Sequence, residues 1–219
     1  MKSDSPQVIG ALFAFTFVTG LIDAASLLGL RHVFVANMTG NVVFIGFSLV
    51  GEGISSLTGS ALALLGFFTG ALVGGRALQR GVERGVRIGL CLDVAALLVA
   101  GGIAALYPPS APDLQVVLLA FGMGIRTAMV RSLAIPDLTT TVLTLTITGL
   151  AADSSLAGGS NPRWKRRLAA TLLLLGGAAA GALLFAAAPA YVSRVAALIE
   201  MAAAFALLRG YSRASAAEA

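Results

Sequence analysis

Val35-Ala36-Asn37-Met38-Thr39-Gly40-Asn41-Val42-Val43-Phe44 sets a polar, glycine-containing break between two apolar runs, and a distorted copy returns as Asp137-Leu138-Thr139-Thr140-Thr141-Val142-Leu143. In a water-soluble chain such a break is an ordinary turn. Here the flanking runs are long enough to cross a bilayer, where lipid cannot satisfy bare N–H and C=O groups. Irregular polar backbone at that depth has to be buried in protein or face a water-filled cavity. The break and its copy are therefore read as the site.

The surrounding composition supports a membrane setting. Hydrophobic residues make up 58% of the 219 and charged residues 11%, far below the quarter or so usual in soluble domains. The net charge of +5 does not point to nucleic acid, because the Lys and Arg residues sit in short clusters between apolar runs, where orientation signals of membrane proteins belong. The single cysteine, Cys91, lies within an apolar run and excludes an intrachain disulfide framework or a cysteine-based metal site. The apolar run from Gln7 is too long for a signal-peptide core and is expected to be a retained helix.

Six apolar segments reach the roughly 20 residues needed to span, at about 8–30, 57–78, 86–107, 114–133, 168–188 and 190–208. Two shorter ones, about 37–50 and 137–152, have the length of re-entrant or interfacial pieces. Arg76, Arg80, Arg84 and Arg87 follow the second long segment, Arg163, Lys165, Arg166 and Arg167 precede the fifth, and Arg209 and Arg213 follow the sixth. Eight crossings would place the first two clusters on opposite sides; six crossings, with each short segment entering and leaving by one face, put all of them on the cytoplasmic side. The expected fold is all-α: a polytopic membrane bundle forming one integral membrane domain over 1–219, with both termini cytoplasmic.

The halves, about 8–107 and 114–208, also resemble each other. Gly20-Leu21-Ile22-Asp23-Ala24 matches Gly124-Ile125-Arg126-Thr127-Ala128 in part. Gly66-x-x-x-Gly70 matches Gly177-x-x-x-Gly181 within one or two positions, and residues 87–98 align without gaps to 194–205, setting Asp93 on Glu200. Three crossings per half is an odd number, so the second half is expected to lie inverted, as in transporters whose site is near the midplane. The bland alternative is chance similarity between helices rich in Ala, Gly and Leu.

Gly20-Leu21-Ile22-Asp23-Ala24-Ala25 followed by Phe34-Val35-Ala36-Asn37-Met38-Thr39-Gly40-Asn41 resembles the signature of the YoaK family, small bacterial inner-membrane proteins of unassigned role. The resemblance covers essentially the whole chain. It implies a bacterial plasma-membrane location and a polytopic helical fold, and no substrate.

Charged residues inside spanning segments are costly and usually face the bundle interior, a partner or a water path. Asp23, Asp93, Arg126 and Glu200 lie several residues inside long segments and are candidates for proton or cation coupling. Equal depth pairs Asp93 with Arg126 as ions; Asp23 and Glu200, if close, are two carboxylates able to share a proton or cation. Otherwise each satisfies nearby backbone or snorkels to the interface. Asn37, Thr39, Gly40 and Asn41, with Asp137, Thr139, Thr140 and Thr141 in the copy, form the candidate solute site. They offer uncharged donors and acceptors and close backbone approach at the glycine. The competing reading is a helix N-cap.

Other motifs argue mostly by exclusion. His32 has no second histidine or cysteine cluster beside it, so no metal site is expected. Ser132 and Ser154-Ser155 have no histidine base within reach of a sequence argument, so a hydrolase is unsupported, and without a phosphate-binding loop a self-contained ATP-driven pump is excluded. No cofactor and no enzymatic activity are expected. Gly66, Gly70 and Gly74 form a close-packing face suited to an in-chain neighbour or to a homo-oligomer. The leading expectation is a secondary transporter or permease for a small solute in the lipid bilayer; the alternative is a non-transporting interaction, assembly or sensory protein. Convergence of the two breaks on one polar cavity separates the two.

Overall fold

The computed structural model describes residues 5–52, 55–106, 112–135 and 143–216, with side chains described to residue 210. Asp137, Thr139, Thr140 and Thr141 lie outside the described residues. Within them the chain is helical: α1 (Pro6–Gly29), α2 (Met38–Leu49), α3 (Leu57–Leu78), α4 (Val82–Leu106), α5 (Pro112–Leu133), α6 (Leu143–Ala152), α7 (Trp164–Ala187) and α8 (Val192–Ala216), with short 3-10 turns at Ser155–Ala157 and Pro189–Tyr191. Six of these helices are long and apolar enough to span a membrane, while α2 and α6 are the two short apolar ones.

Local chemistry sets the starts. Ser5 caps α1, its Oγ accepting from the N–H of Val8, with Pro6 in the first turn. There the missing proline N–H costs no helical hydrogen bond. Ser56 caps α3 in the same way, accepting from Gly59 N–H. The ends of several helices differ from the hydropathy boundaries. Whereas the apolar runs begin near 86 and 168, α4 begins at Val82 and α7 at Trp164, because Glu, Arg and Lys are good helix formers. A helix does not stop where lipid does.

The bundle is built on close backbone crossings made by glycine. In α1 and α7, a Cβ on Gly20 would collide with the Leu174 carbonyl, one on Gly177 with the Phe17 carbonyl, and one on Gly181 with that of Leu21. In α3 and α5, Gly70 stands against the Phe121 carbonyl, Gly74 against Ile125, and Gly124 against the Phe67 carbonyl. Both pairs therefore run parallel. Gly66, Gly70 and Gly74 are all buried against α5. Of the two uses expected of this face, the structure shows the one within the chain, and close packing between helices in lipid rests on such small residues.

Three further crossings fix directions. Gly89 of α4 packs on Met129 and Ile125, and Gly122 of α5 on Asp93 and Ala96, so α4 and α5 are antiparallel. Gly101 of α4 meets Ser193 and Arg194 at the start of α8, and Gly210 near the end of α8 meets Gln7 and Val8. The start of α1, the end of α3, the starts of α4 and α7 and the end of α8 thus share one end of the bundle, which carries Arg76, Arg80, Arg84, Arg87, Arg163, Lys165 and Arg166. The segment holding α2 leaves and returns at the other end, where Ser56 N–H donates to the Arg31 carbonyl at 3.2 Å. That holding α6 does so at the arginine-rich end, where Arg167 reaches Gly149 and Asp153. Outward faces are apolar, with Leu65, Phe68, Leu72, Leu175 and Leu183 exposed, as expected of a polytopic helical bundle that has lipid for solvent.

Candidate functional site

Residues 30–37 connect α1 to α2 and are held by side chains rather than by regular structure. Asp23, on α1, accepts through Oδ1 from the N–H groups of Val35 at 3.0 Å and Ala36 at 2.8 Å. Asn41 is completely buried; its Oδ1 accepts from Phe34 N–H at 3.0 Å and its Nδ2 donates to the Phe34 carbonyl at 2.6 Å. That amide replaces a strand partner for Phe34, whose ring stacks on Phe44 with centroids 5.8 Å apart. Asn37 is the N-cap of α2, accepting from Gly40 N–H. A Cβ on Gly40 would meet the Phe34 ring at 2.7 Å, so glycine is required there for the ring to lie against the helix start.

These elements bound a cavity of about 890 Å³ lined by α1, α2 and α7, together with the first residues of α6. Thr19, Gly20 and Asp23 come from α1, Phe34 and Ala36 from the connection, Asn37, Thr39, Gly40, Val43 and Phe44 from the start of α2 and its cap, Leu143 and Thr144 from the start of α6, and Leu174 and Ala178 from α7. Gly20, Leu174 and Ala178 are near the middle of their helices. The first turns of both short helices therefore open on one space at mid-bundle, although the helices belong to segments anchored at opposite ends.

Not every residue read from the sequence belongs to that space. Asn37, Thr39, Gly40 and Asp23 line it; Asn41 does not, and its two polar atoms are consumed by Phe34. Of the copy, Leu143 and Thr144 are the first described residues and both line the cavity. Thr19, Thr144 and the Phe34–Phe44 pair were not singled out from the sequence; the neighbouring threonines 139–141 were the only signal for Thr144.

Asp93, Arg126 and Glu200 form a separate buried cluster. Arg126 Nε donates to Asp93 Oδ2 at 2.7 Å, and Arg126 Nη2 donates to Glu200 Oε2. The three residues are 1% exposed or less, and the guanidinium also sits over the Phe15 ring, 5.5 Å from its centroid. The expected Asp93–Arg126 pair is present, but Glu200 completes it as a triad. Asp23 and Glu200, considered above as a pair on the condition that they are close, have different partners: Glu200 lies on Arg126, and Asp23 on the connection's amides. Asp93 Oδ1, Glu200 Oε1 and Arg126 Nη1 are buried without a hydrogen-bond partner. Two carboxylates on one guanidinium leave an odd charge count in a low-dielectric interior, which a proton or a monovalent cation would balance.

Other ion pairs lie towards the ends of the bundle. At the end away from the arginine clusters, Arg31 makes a bidentate contact with Asp113 at 2.9 and 3.0 Å. At the arginine-rich end, the mostly buried Arg167 donates to Asp153 at 2.7 Å and to the Gly149 carbonyl at 2.6 Å, holding the end of α6 to α7. Among the described residues no three His, Cys, Asp or Glu side chains gather as metal ligands.

Residues 11–207 match the family described as Protein of unknown function (DUF1275), and the chain belongs to that family. It is also similar to the UPF0700 transmembrane protein YoaK of Bacillus subtilis (strain 168), with 33% identity over 142 residues. That similarity covers 62% of this chain and 62% of the relative's length. No solved structure matches.

Proposed function

We propose that this DUF1275 protein is a secondary transporter or permease for a small solute, bound where the starts of α2 and α6 open on the mid-bundle cavity. The observation that carries the reading is that convergence: Asn37, Thr39 and Gly40 from one short helix and Leu143 and Thr144 from the other line a single space. Helices broken at mid-membrane around a cavity are how transporters place polar backbone next to substrate. A packing partner has no use for two such breaks at one point.

An inverted repeat accompanies this proposal. The crossing of α1 with α7 repeats as that of α5 with α3: Gly177 on Phe17 and Gly181 on Leu21 have the counterparts Gly70 on Phe121 and Gly74 on Ile125, while Gly20 on Leu174 is answered by Gly124 on Phe67. Adding 107 to positions in α3 and α4 gives those in α7 and α8, and the same offset carries Asp93 to Glu200. The earlier pairing of Gly66 with Gly177 is displaced by one helical turn. In this arrangement the arginine-rich end is cytoplasmic by the positive-inside rule, both termini are on that side, and the membrane is the bacterial inner membrane. The Asp93–Arg126–Glu200 triad, with its odd charge, and Asp23 are the groups that would couple solute movement to a proton or cation.

Solute flux into proteoliposomes, screened across small solutes, tests this. Thr144→Val, which replaces a lining hydroxyl by a methyl group, is expected to reduce flux of the active solute while leaving the protein folded. Asn41→Ala is expected to do the reverse, lowering stability by about 1–3 kcal/mol as Phe34 loses both partners and leaving flux per folded molecule largely intact. If Thr144→Val and other changes to lining residues leave flux untouched, the cavity is not the route.

A further inference from the structure

We infer that the cavity takes a small organic cation, an ammonium group on an apolar body; this rests on the reading of the cavity as the solute site. Among its described lining residues Asp23 is the single charged side chain, and no Lys, Arg or His lines it. The rest of the wall is mainly aliphatic and aromatic, from Leu27, Val43, Leu143, Leu174 and the stacked Phe34 and Phe44. Thr19, Asn37, Thr39 and Thr144 supply a few polar atoms. A carboxyl group beside phenyl faces is the chemistry that recognises a cation through charge and ring quadrupole together.

The competing expectation is an anion, since two helix starts open on the cavity and helix N-termini favour negative charge. On the α2 side several of the donors that an anion would use already have acceptors. Asp23 Oδ1 accepts from Val35 and Ala36 N–H, and Asn37 caps Gly40 N–H. The connection holds the Asp23 carboxyl group through its N–H groups, and the same carboxyl group forms part of the cavity wall. An anion entering here would meet Asp23 and find no cationic side chain among the described lining residues. A volume of about 890 Å³ falls in the range of small-molecule pockets, which bury most of a ligand against apolar walls with few polar contacts.

Three probes of one shape and different charge decide the matter: benzylammonium, benzyl alcohol and benzoate, each titrated against the purified full-length protein with thermal stability as the readout. Benzylammonium is expected to raise the unfolding temperature in a saturable way and benzoate to have no effect. Asp23→Asn is expected to weaken benzylammonium by about tenfold or more, the scale of one lost charge-assisted contact; Asp23→Glu is expected to restore most of it. Because Asp23 also clamps the connection, Thr39→Lys gives a second route: a positive charge on an exposed lining position should abolish benzylammonium binding in a protein that still folds. Preference for benzoate or benzyl alcohol, or benzylammonium binding undiminished in both Asp23→Asn and Thr39→Lys, overturns the cation assignment while leaving a solute cavity in place. Failure of all three probes, together with no flux of any screened solute, removes the solute site itself.

Discussion

Arg126→Gln is expected to leave very little folded protein in the membrane. The change strips the Arg126 guanidinium from Asp93 and Glu200, both fully buried, and breaking a buried ionic cluster from one side costs about 3–5 kcal/mol. Asp93→Asn should be much milder, because Arg126 keeps Glu200. This asymmetry is the signature of a triad. In an isolated pair, loss of either partner would be equally damaging. Arg126→Lys should fall between, since an ammonium on a flexible stem lacks the fixed spacing of the Nε and Nη2 donors that hold Asp93 and Glu200. Yield of monodisperse protein after extraction, followed by thermal unfolding of whatever survives, measures all three.

The second large effect is at the helix crossings. Gly70→Val places branched carbon atoms on the Phe121 carbonyl, which is backbone and cannot turn aside; α3 and α5 would have to separate along their whole contact. Overpacking a core costs about 1–3 kcal/mol when side chains can adjust, so here the loss is expected at or above the top of that range. Gly75→Val, on the neighbouring face of the same helix, has open space at its Cβ position and is expected to stay within about 0.5 kcal/mol of the parent. Equal losses at positions 70 and 75 would show that helix propensity rather than the crossing is responsible.

Much of the fold is legible in the sequence because a bilayer imposes simple rules. Length and hydropathy mark the six spans, and the brevity of α2 and α6 marks them as different. The arginine clusters, by lying at one end, select six crossings over eight. What hydropathy does not carry is the angle of a residue around its helix or the tilt of the helix in the bundle. Depth along the chain therefore suggests Asp93 beside Arg126 but cannot show that Glu200 of α8 faces the same guanidinium.

The same limit applies to the break. Asn37 and Asn41 differ by four residues and look alike as amides, yet Asn37 lines the cavity while Asn41 turns inward to serve Phe34. Only the path of residues 30–37, fixed by Asp23 and Asn41, separates them.

A cavity approached by two half-helices from opposite membrane faces is tested most directly by thiol labelling in intact cells and inverted vesicles, on a Cys91→Ser background. Single cysteines replace Glu52, beyond the end of α2, and Leu156, in the exposed turn after α6. A membrane-impermeant reagent is expected to label position 52 only from outside and position 156 only from the cytoplasmic side. Labelling of both positions from one face would contradict entry of the two short helices from opposite sides, and the inverted repeat would fall with it.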